Sequence, residues 1–134
     1  MLNKTITYTD YNGVERTETY HFNLSKAELT EMELTTAGGF MNMINGIINA
    51  KDTPALFKVF KDVVLKSYGV KSVDGKRFEK SEQLSKEFSE TEAYSVLIVE
   101  LATDDVAAVN FVNGILPADM KNKHDEQAPS ALTE

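Results

Sequence analysis

Histidine and cysteine are the side chains that most often carry catalysis or metal binding, and this sequence offers little of either. It has two histidines and no cysteine, which excludes a disulfide framework, a thiolate metal site and a thiol nucleophile. His21 falls in a segment with strand character, and His124 falls in a polar stretch near the C-terminus. A metal pair or a catalytic triad that uses both is therefore not expected. We interpret His21 as a half-exposed strand residue.

Three short motifs come close to ligand-binding patterns, and each has a simpler interpretation. Residues 69–76 hold the glycines and lysine of a phosphate loop, but the glycines are one residue too far apart and Arg77 stands where Ser or Thr must bind magnesium. Residues 10–13 open like a calcium loop, but the glycine comes two residues early. The third motif is the carboxylate cluster Glu28, Glu31 and Glu33. Because it follows a predicted helix start, where negative charge is favourable, we interpret it as a solvated helix face.

Composition excludes further classes of function. The 134 residues fit one domain, and the net charge of −7 argues against general nucleic-acid binding, which needs a basic face. The longest charge-free stretch, residues 34–50, holds three asparagines and three glycines and is too short and polar to span a bilayer. No signal peptide is apparent. The sequence therefore predicts an intracellular, non-enzymatic protein that binds another protein, without cofactor, metal, nucleic acid or membrane.

The predicted fold class is mainly α with an N-terminal β-hairpin (α+β), a compact helical bundle of about five helices. The hairpin covers residues 4–22 around the turn signal Asn12-Gly13. A two-residue loop would pair Tyr8 with Thr17, whereas a three-residue loop would pair Tyr8 with Arg16. A slip of one residue moves every side chain to the other face, and only the three-residue loop gathers the apolar residues on one face. These residues are Ile6, Tyr8, Val14, Tyr20 and Phe22.

Helical periodicity and capping signals predict the rest of a single globular domain over residues 1–119. The helices are expected at about 26–35, 40–50, 54–68, 82–88, 90–102 and 104–114. Ser25-x-x-Glu28 and Ser89-x-x-Glu92 are capping boxes, and Asp74-Gly75 marks a tight turn that suits a small second hairpin. The last helix is expected to point Val106, Val109 and Phe111 inward. The apolar pattern stops at Ala118, so residues 120–134 are predicted to be a disordered tail.

The helix at 40–50 is the most suggestive surface. The candidate partner-binding residues on it are Phe40, Met41, Met43, Ile44, Ile47 and Ile48. One interpretation is plain core packing, and the other is an adaptable methionine-rich docking face. The other side of this helix carries Asn42, Asn45 and Asn49 where a solvated helix usually carries charge, and depletion of charge is typical of interface centres.

Segments along most of residues 1–120 resemble the tail assembly chaperones of long-tailed bacteriophages (siphoviruses) of Gram-positive hosts. The matching segments are 5–13 (TITYTDYNG), 22–28 (FNLSKAE), 32–34 (MEL), 65–69 (LKSYG), 74–78 (DGKRF), 88–94 (FSETEAY), 100–104 (ELATD) and 111–119 (FVNGILPAD). These are similarities of the whole chain and contain no catalytic signature.

The resemblance implies a function that residue chemistry alone does not reach. Such proteins bind the aggregation-prone tape-measure protein and recruit subunits of the major tail (tube) protein as the tail grows. They act in the host cell cytoplasm and are absent from the mature virion. The alternative is a structural tail or connector component of the virion. The sequence leaves self-association open.

Overall fold

The computed structural model describes residues 1–118, and the predicted tail 120–134 lies outside them together with the domain limit at 119. The predicted α+β class is confirmed. The described residues form six helices rather than about five, and their limits lie within two residues of the predicted ones. In chain order the elements are β1 (Leu2–Thr9), β2 (Glu15–Phe22), α1 (Lys26–Thr35), α2 (Phe40–Ala50), α3 (Thr53–Ser67), β3 (Tyr68–Lys71), β4 (Phe78–Glu79), α4 (Glu82–Ser89), α5 (Glu92–Thr103) and α6 (Asp105–Ile115).

The first hairpin adopts the register with the three-residue loop. Tyr8 lies opposite Arg16, and Gly13 has a φ of 80°, which is the left-handed conformation that glycine favours. The Asp10 carboxylate accepts hydrogen bonds from the backbone N–H groups of Asn12 at 2.8 Å and Val14 at 2.9 Å. This carboxylate therefore fixes the turn.

The two faces of the hairpin have different environments. Ile6 and Phe22 are buried against the helices, whereas Val14 shares their face but is half exposed because it lies at the tip of the hairpin. The opposite face is polar, and its threonine hydroxyls pair across the strands at 2.9 Å. Only one side of this sheet is covered, as alternation of apolar and polar residues predicts.

A second, shorter hairpin extends the sheet to the order β1-β2-β3-β4. Phe22 of β2 lies opposite Tyr68 of β3, so the chain returns from α3 directly into the sheet. Gly69 is buried here, and a Cβ at this position would lie 2.6 Å from the Phe78 ring and 2.8 Å from the Glu79 carbonyl oxygen. Residues 69–76 therefore form a strand and a turn, not a phosphate loop.

The helix starts agree with the predicted cap at α1 but not at α5. Ser25 and Glu28 form the capping box of α1, and Asp104 caps α6. Ser89 instead ends α4, where its hydroxyl donates to the Lys86 carbonyl. Thr91 caps α5 by accepting from the Tyr94 N–H at 3.2 Å. The predicted capping box at Ser89 is therefore wrong. Two cap-forming residues lie close together, and α5 uses Thr91, which directly precedes its first residue.

The predicted inward face of α6 is also wrong in part. Val106 and Val109 are 68% and 41% exposed, whereas Phe111 is buried as expected. The buried face consists of Ala108, Phe111, Val112 and Ile115. These residues follow the spacing of one helical stripe, which the apolar residues on both sides of α6 obscure in the sequence.

The core lies between the sheet and the helices, and Phe22 is at its centre. Its ring centroid lies 5.3 Å from that of Phe111 and 5.8 Å from those of Tyr68 and Phe88. Tyr68 and Phe88 stack at 4.5 Å. Because these rings come from β2, β3, α4 and α6, one aromatic cluster joins both hairpins to the helical layer.

Lys80 connects the start of α1 to the segment before α4. Its Nζ donates to the Asn23 carbonyl and to Glu28 Oε1, both at 2.7 Å. Burial raises the pKa of Glu28, but the hydrogen bonds from Lys80 and from the Ser25 backbone outweigh it, so the pKa lies below the ordinary value of 4.5.

We expect Lys80→Met to lower the free energy of unfolding by about 1–2 kcal/mol at neutral pH, because a partly exposed charge-assisted pair is lost. The lowered pKa of Glu28 means that its contribution is present above pH 4.5 and is lost as pH falls through the folded-state pKa. The difference between wild type and variant should therefore shrink below that pH. Urea denaturation at several pH values measures this, with exposed Lys76→Met as control. A difference that does not change with pH would contradict the assignment.

Two glycines should respond oppositely to alanine. Gly69→Ala should destabilise by about 1–3 kcal/mol, because its methyl group overlaps the Phe78 ring and the neighbouring strand. Gly46→Ala should stabilise by about 0.5–1 kcal/mol, because Gly46 lies within α2 and a Cβ there meets nothing within 4 Å. Thermal denaturation followed by circular dichroism compares the two. If the two substitutions changed the melting temperature equally, the backbone at Gly69 would have to relax freely to accommodate the methyl group.

Candidate partner-binding surface

The candidate surface lies on α2, whose N-terminus is capped from a different helix. Gly39 has no side chain to act as a cap, and the Glu33 carboxylate of α1 instead accepts from the Met41 N–H at 2.7 Å. Glu33 Oε1 lies only 2.8 Å from where a Cβ on Gly39 would be, and Gly39 has a φ of 91°. Glycine is therefore required here so that the carboxylate can reach the helix end.

The C-terminus of α2 is fixed by a left-handed residue and an ion pair. Lys51 has a φ of 53°, and its N–H donates to the carbonyls of Ile47 and Ile48. Its Nζ lies 3.4 Å from the Asp105 carboxylate at the start of α6. Lys51 and Asp105 both lie outside α2. The helix itself has no charged residue from Phe40 to Ala50.

The six predicted site residues divide between the two interpretations. Phe40, Ile44 and Ile48 are 4%, 0% and 5% exposed and belong to the core. As partner-binding residues these three are not accessible, because their spacing of four places them on the single stripe that faces the core. Met41, Met43 and Ile47 are half-buried and flank this stripe. Any contact with a partner would therefore use these three and the outer side of α2.

The outer side of α2 is polar but uncharged. Asn42, Gly46 and Asn49 are exposed, and Asn45 is half-buried. The Asn42 amide donates to the Gly38 carbonyl at 3.0 Å. The surface therefore combines amides at its centre with methionine and isoleucine at its margins.

Sequence reasoning missed other exposed apolar side chains. Leu34 is 80% exposed and lines a shallow groove of about 670 Å³ on α1 with Ala27 and Thr30. Val99 of α5 and Val106 of α6 are also exposed. The signal for Leu34 was its spacing, because it falls off the stripe formed by Leu29 and Met32.

The titratable groups serve the fold. Glu18 Oε1 accepts from the hydroxyls of Tyr8 at 2.6 Å and Tyr20 at 2.8 Å. The hydrogen bond to Glu18 raises the pKa of Tyr8, burial raises that of Tyr20, and the bond from Tyr8 lowers that of Glu18. Near neutral pH both tyrosines therefore stay protonated, and Glu18 stays ionised. His21 donates from its Nδ1–H to Asn3 Oδ1 at 2.7 Å, and His124 lies outside the described residues.

Within residues 1–118, no three His, Cys, Asp or Glu side chains come together closely enough to hold a metal ion. None of the helices in this part of the chain has both the length and the apolar character needed to cross a membrane.

The small α+β scaffold thus presents an uncharged helix, α2, whose core-facing stripe is flanked by half-buried methionine and isoleucine side chains. A family model described as phage tail assembly chaperone matches residues 1–134. The chain therefore belongs to the phage tail assembly chaperone family, and this membership points to a non-catalytic role. Neither the curated proteins nor the solved structures contain a match.

Alanine substitutions along α2 should distinguish core residues from surface residues by their effect on the free energy of unfolding. Ile44→Ala should cost about 2–5 kcal/mol, because it leaves a cavity in the core. Met43→Ala should cost well under half as much, because Met43 is half-buried and solvent can fill its place. Chemical denaturation measures both values. Equal costs would mean that Met43 is a core residue and is not available to a partner.

Proposed function

We propose that this chain binds the tape-measure protein in the host cell cytoplasm, recruits tail-tube subunits to it, and is absent from the mature virion. Membership of the tail assembly chaperone family supports a role in tail assembly. The resemblance in sequence extends the proposal to long-tailed phages of Gram-positive hosts. The observation that carries the binding proposal is that α2 has no charged residue in a chain where 26% of residues are charged.

The composition of α2 lowers the stability of the helix. This supports the binding proposal, because residues that do not stabilise the helix are then available for another role. Asparagine costs about 0.5–0.7 kcal/mol and glycine about 1 kcal/mol relative to alanine in a helix. Three asparagines and Gly46 together cost α2 about 3 kcal/mol, where lysine or glutamate would cost little. These residues therefore do not serve helix stability. An amide can donate and accept, and its burial against a partner costs less than burial of a charge.

The margins of α2 suit an apolar helical client. Met41, Met43 and Ile47 already contact the core with part of their surface, so binding costs them less conformational freedom than fully exposed side chains would lose. Methionine adapts its shape to irregular apolar surfaces. A helix of the client lying along α2 would meet these side chains and the amides between them.

The proposal is tested by co-expression with the tape-measure protein of the same phage. We expect the wild-type chain to keep that protein soluble and to co-purify with it. Asn42→Lys/Asn49→Lys places two charges on the exposed side of α2 and should abolish co-purification while leaving the melting temperature nearly unchanged. The matched control is Val73→Lys/Gln83→Lys, which adds the same charge at exposed positions elsewhere.

Three results would oppose the proposal. A tape-measure protein that stays soluble without this chain needs no such chaperone. Equal losses of co-purification in the α2 variant and its control would mean that added positive charge anywhere on the chain prevents binding, and that the α2 surface has no special role. Detection of the chain by mass spectrometry in purified virions would favour the alternative, a structural tail component. Tail-tube recruitment is tested separately, by adding the major tail protein to the purified complex.

A further inference from the structure

The strand β1 forms one edge of the sheet. Within residues 1–118 it pairs with β2 alone, in a continuous register from Leu2 to Thr9. Residues of an antiparallel pair alternate between exchanging backbone hydrogen bonds and directing those groups away from each other. The Asp10 N–H donates to the Val14 carbonyl, so the even-numbered residues of β1 are bonded to β2. The odd-numbered residues direct their backbone groups away from the sheet. They are Asn3, Thr5, Thr7 and Thr9, and all four are exposed.

Within its own sequence, this edge has none of the usual devices that prevent an edge strand from pairing with another chain. Such strands are typically short or carry a proline, a bulge or an outward lysine. β1 has eight residues, no proline and no bulge in its register. Its only lysine, Lys4, lies on the helical side, where its Nζ is 3.2 Å from the Glu100 carboxylate. The exposed threonines are β-branched and favour an extended strand, so the edge is suited to accept a further one.

The helix α5 packs under β1 and leaves an apolar side uncovered. The pair of Lys4 and Glu100 joins the end of α5 to β1, and at its start Glu92 accepts a hydrogen bond from the Tyr11 hydroxyl at 2.9 Å. Between these two contacts, Val96 and Val99 are 43% and 53% exposed. Because α5 packs on the edge strand, its outer side faces the space beside β1. A strand added to β1 would therefore cover both valines.

A depression of about 240 Å³ lies beside β1, where α5 ends and α6 begins. Leu2 and Phe111 line its apolar part, and Glu100 and Asp104 line its acidic part. Asp104 caps α6 through its Oδ1, which accepts from two backbone N–H groups. The two carboxylates outnumber the single lysine of the depression, Lys4, so its net charge is negative. A basic side chain that enters it is therefore attracted.

We propose that the outer edge of β1 binds an extended segment of another protein, which adds a fifth, antiparallel strand to the sheet and places a basic side chain in the depression. Backbone hydrogen bonds to the odd-numbered residues of β1 supply affinity, and alternate side chains supply specificity. Apolar side chains of the added strand cover Val96 and Val99. One lysine or arginine among them meets the carboxylates of Glu100 and Asp104. The partner is thus an extended segment that alternates apolar and polar residues and has one basic residue on its apolar side.

A second folded copy of this chain fits the edge less well than a single extended segment does. Two copies that joined their β1 strands into one antiparallel sheet would be related by a two-fold axis perpendicular to that sheet. Both α5 helices would then lie on the same side of the joined sheet and would compete for the space below the junction. A single strand brings no helix with it, so it leaves that space to its own side chains.

A synthetic peptide tests the proposal on the purified full chain. It has about nine residues, begins with valine, alternates valine with threonine, and carries lysine in place of the central valine. With about 1 mM peptide, we expect the amides of Asn3, Thr5 and Thr7 to exchange about tenfold more slowly by NMR, because they become hydrogen-bonded. In an antiparallel pair, the threonines of the peptide bond to β1 while its valines and lysine face α5. N-methylation of the threonines should therefore abolish binding, whereas N-methylation of the valines should preserve it.

A matched pair of proline variants locates the peptide on the edge. Thr7 and Thr17 lie opposite each other, and their hydroxyls pair at 2.9 Å. Neither backbone N–H bonds to the opposite strand, so either proline removes the same hydroxyl pair and no hydrogen bond of the ladder. Only the N–H of Thr7 lies on the outer edge of β1. Thr7→Pro should therefore weaken peptide binding by about tenfold or more, and Thr17→Pro should bind like wild type.

Two further measurements support these variants. Circular dichroism checks that each is folded, and the methylated peptides need no change in the protein if proline at position 7 unfolds the hairpin. A peptide with glutamate in place of its central lysine should bind about tenfold more weakly in about 50 mM NaCl, because it meets the carboxylates of the depression.

Several outcomes would overturn the proposal. They are a peptide that does not bind at about 1 mM, binding that survives N-methylation of the threonines, and equal binding by the two proline variants. Slow exchange of the β1 edge amides in the dilute free chain would also overturn it, because another part of the chain or a second copy would then already occupy the edge. Asn42→Lys/Asn49→Lys should bind the peptide like wild type. The proposed function has its own readout at α2, so failure of strand addition leaves it standing.

Discussion

The apolar face of the first hairpin must be covered, and most of the fold follows from how this is done. A two-stranded hairpin is marginal in water until its apolar face is packed. Phe22 supplies the largest part of that face and is fully buried among rings from β3, α4 and α6. Since these elements are distant in sequence, the aromatic cluster forms only when the whole domain folds. The hairpin is thus part of the core and not a detachable arm.

Sequence patterns predicted those features that depend on local chemistry. The hairpin register followed from apolar alternation and from glycine at the loop, and both are set within residues 6–22. The α2 limits followed from a clean stripe between the glycines 38 and 39 and Lys51. The second hairpin was predicted from its turn, but its pairing with the first hairpin was not. The pairing of β3 with β2 depends on where α3 returns the chain, which the local sequence does not specify.

The misplaced features share one cause, which is that several residues could have served equally well. Ser89 and Thr91 are both good caps, and the structure uses Ser89 at the end of α4 and Thr91 at the start of α5. Val106 and Val109 are as apolar as Ala108 and Val112, so periodicity alone does not identify the inner face of α6. The candidate surface shows the same ambiguity, since a stripe of isoleucines at a spacing of four describes a core-facing helix as well as a docking face.

The two surfaces of interest differ in the way they offset the loss of hydration on binding. The outer side of α2 carries no charge, so an apolar partner can cover it without stripping water from ions. The outer side of α3 carries the exposed residues Lys58, Lys61 and Lys66, so only a partner with carboxylates compensates for their desolvation. An apolar partner without carboxylates would therefore lie on α2 at a lower desolvation cost than on α3.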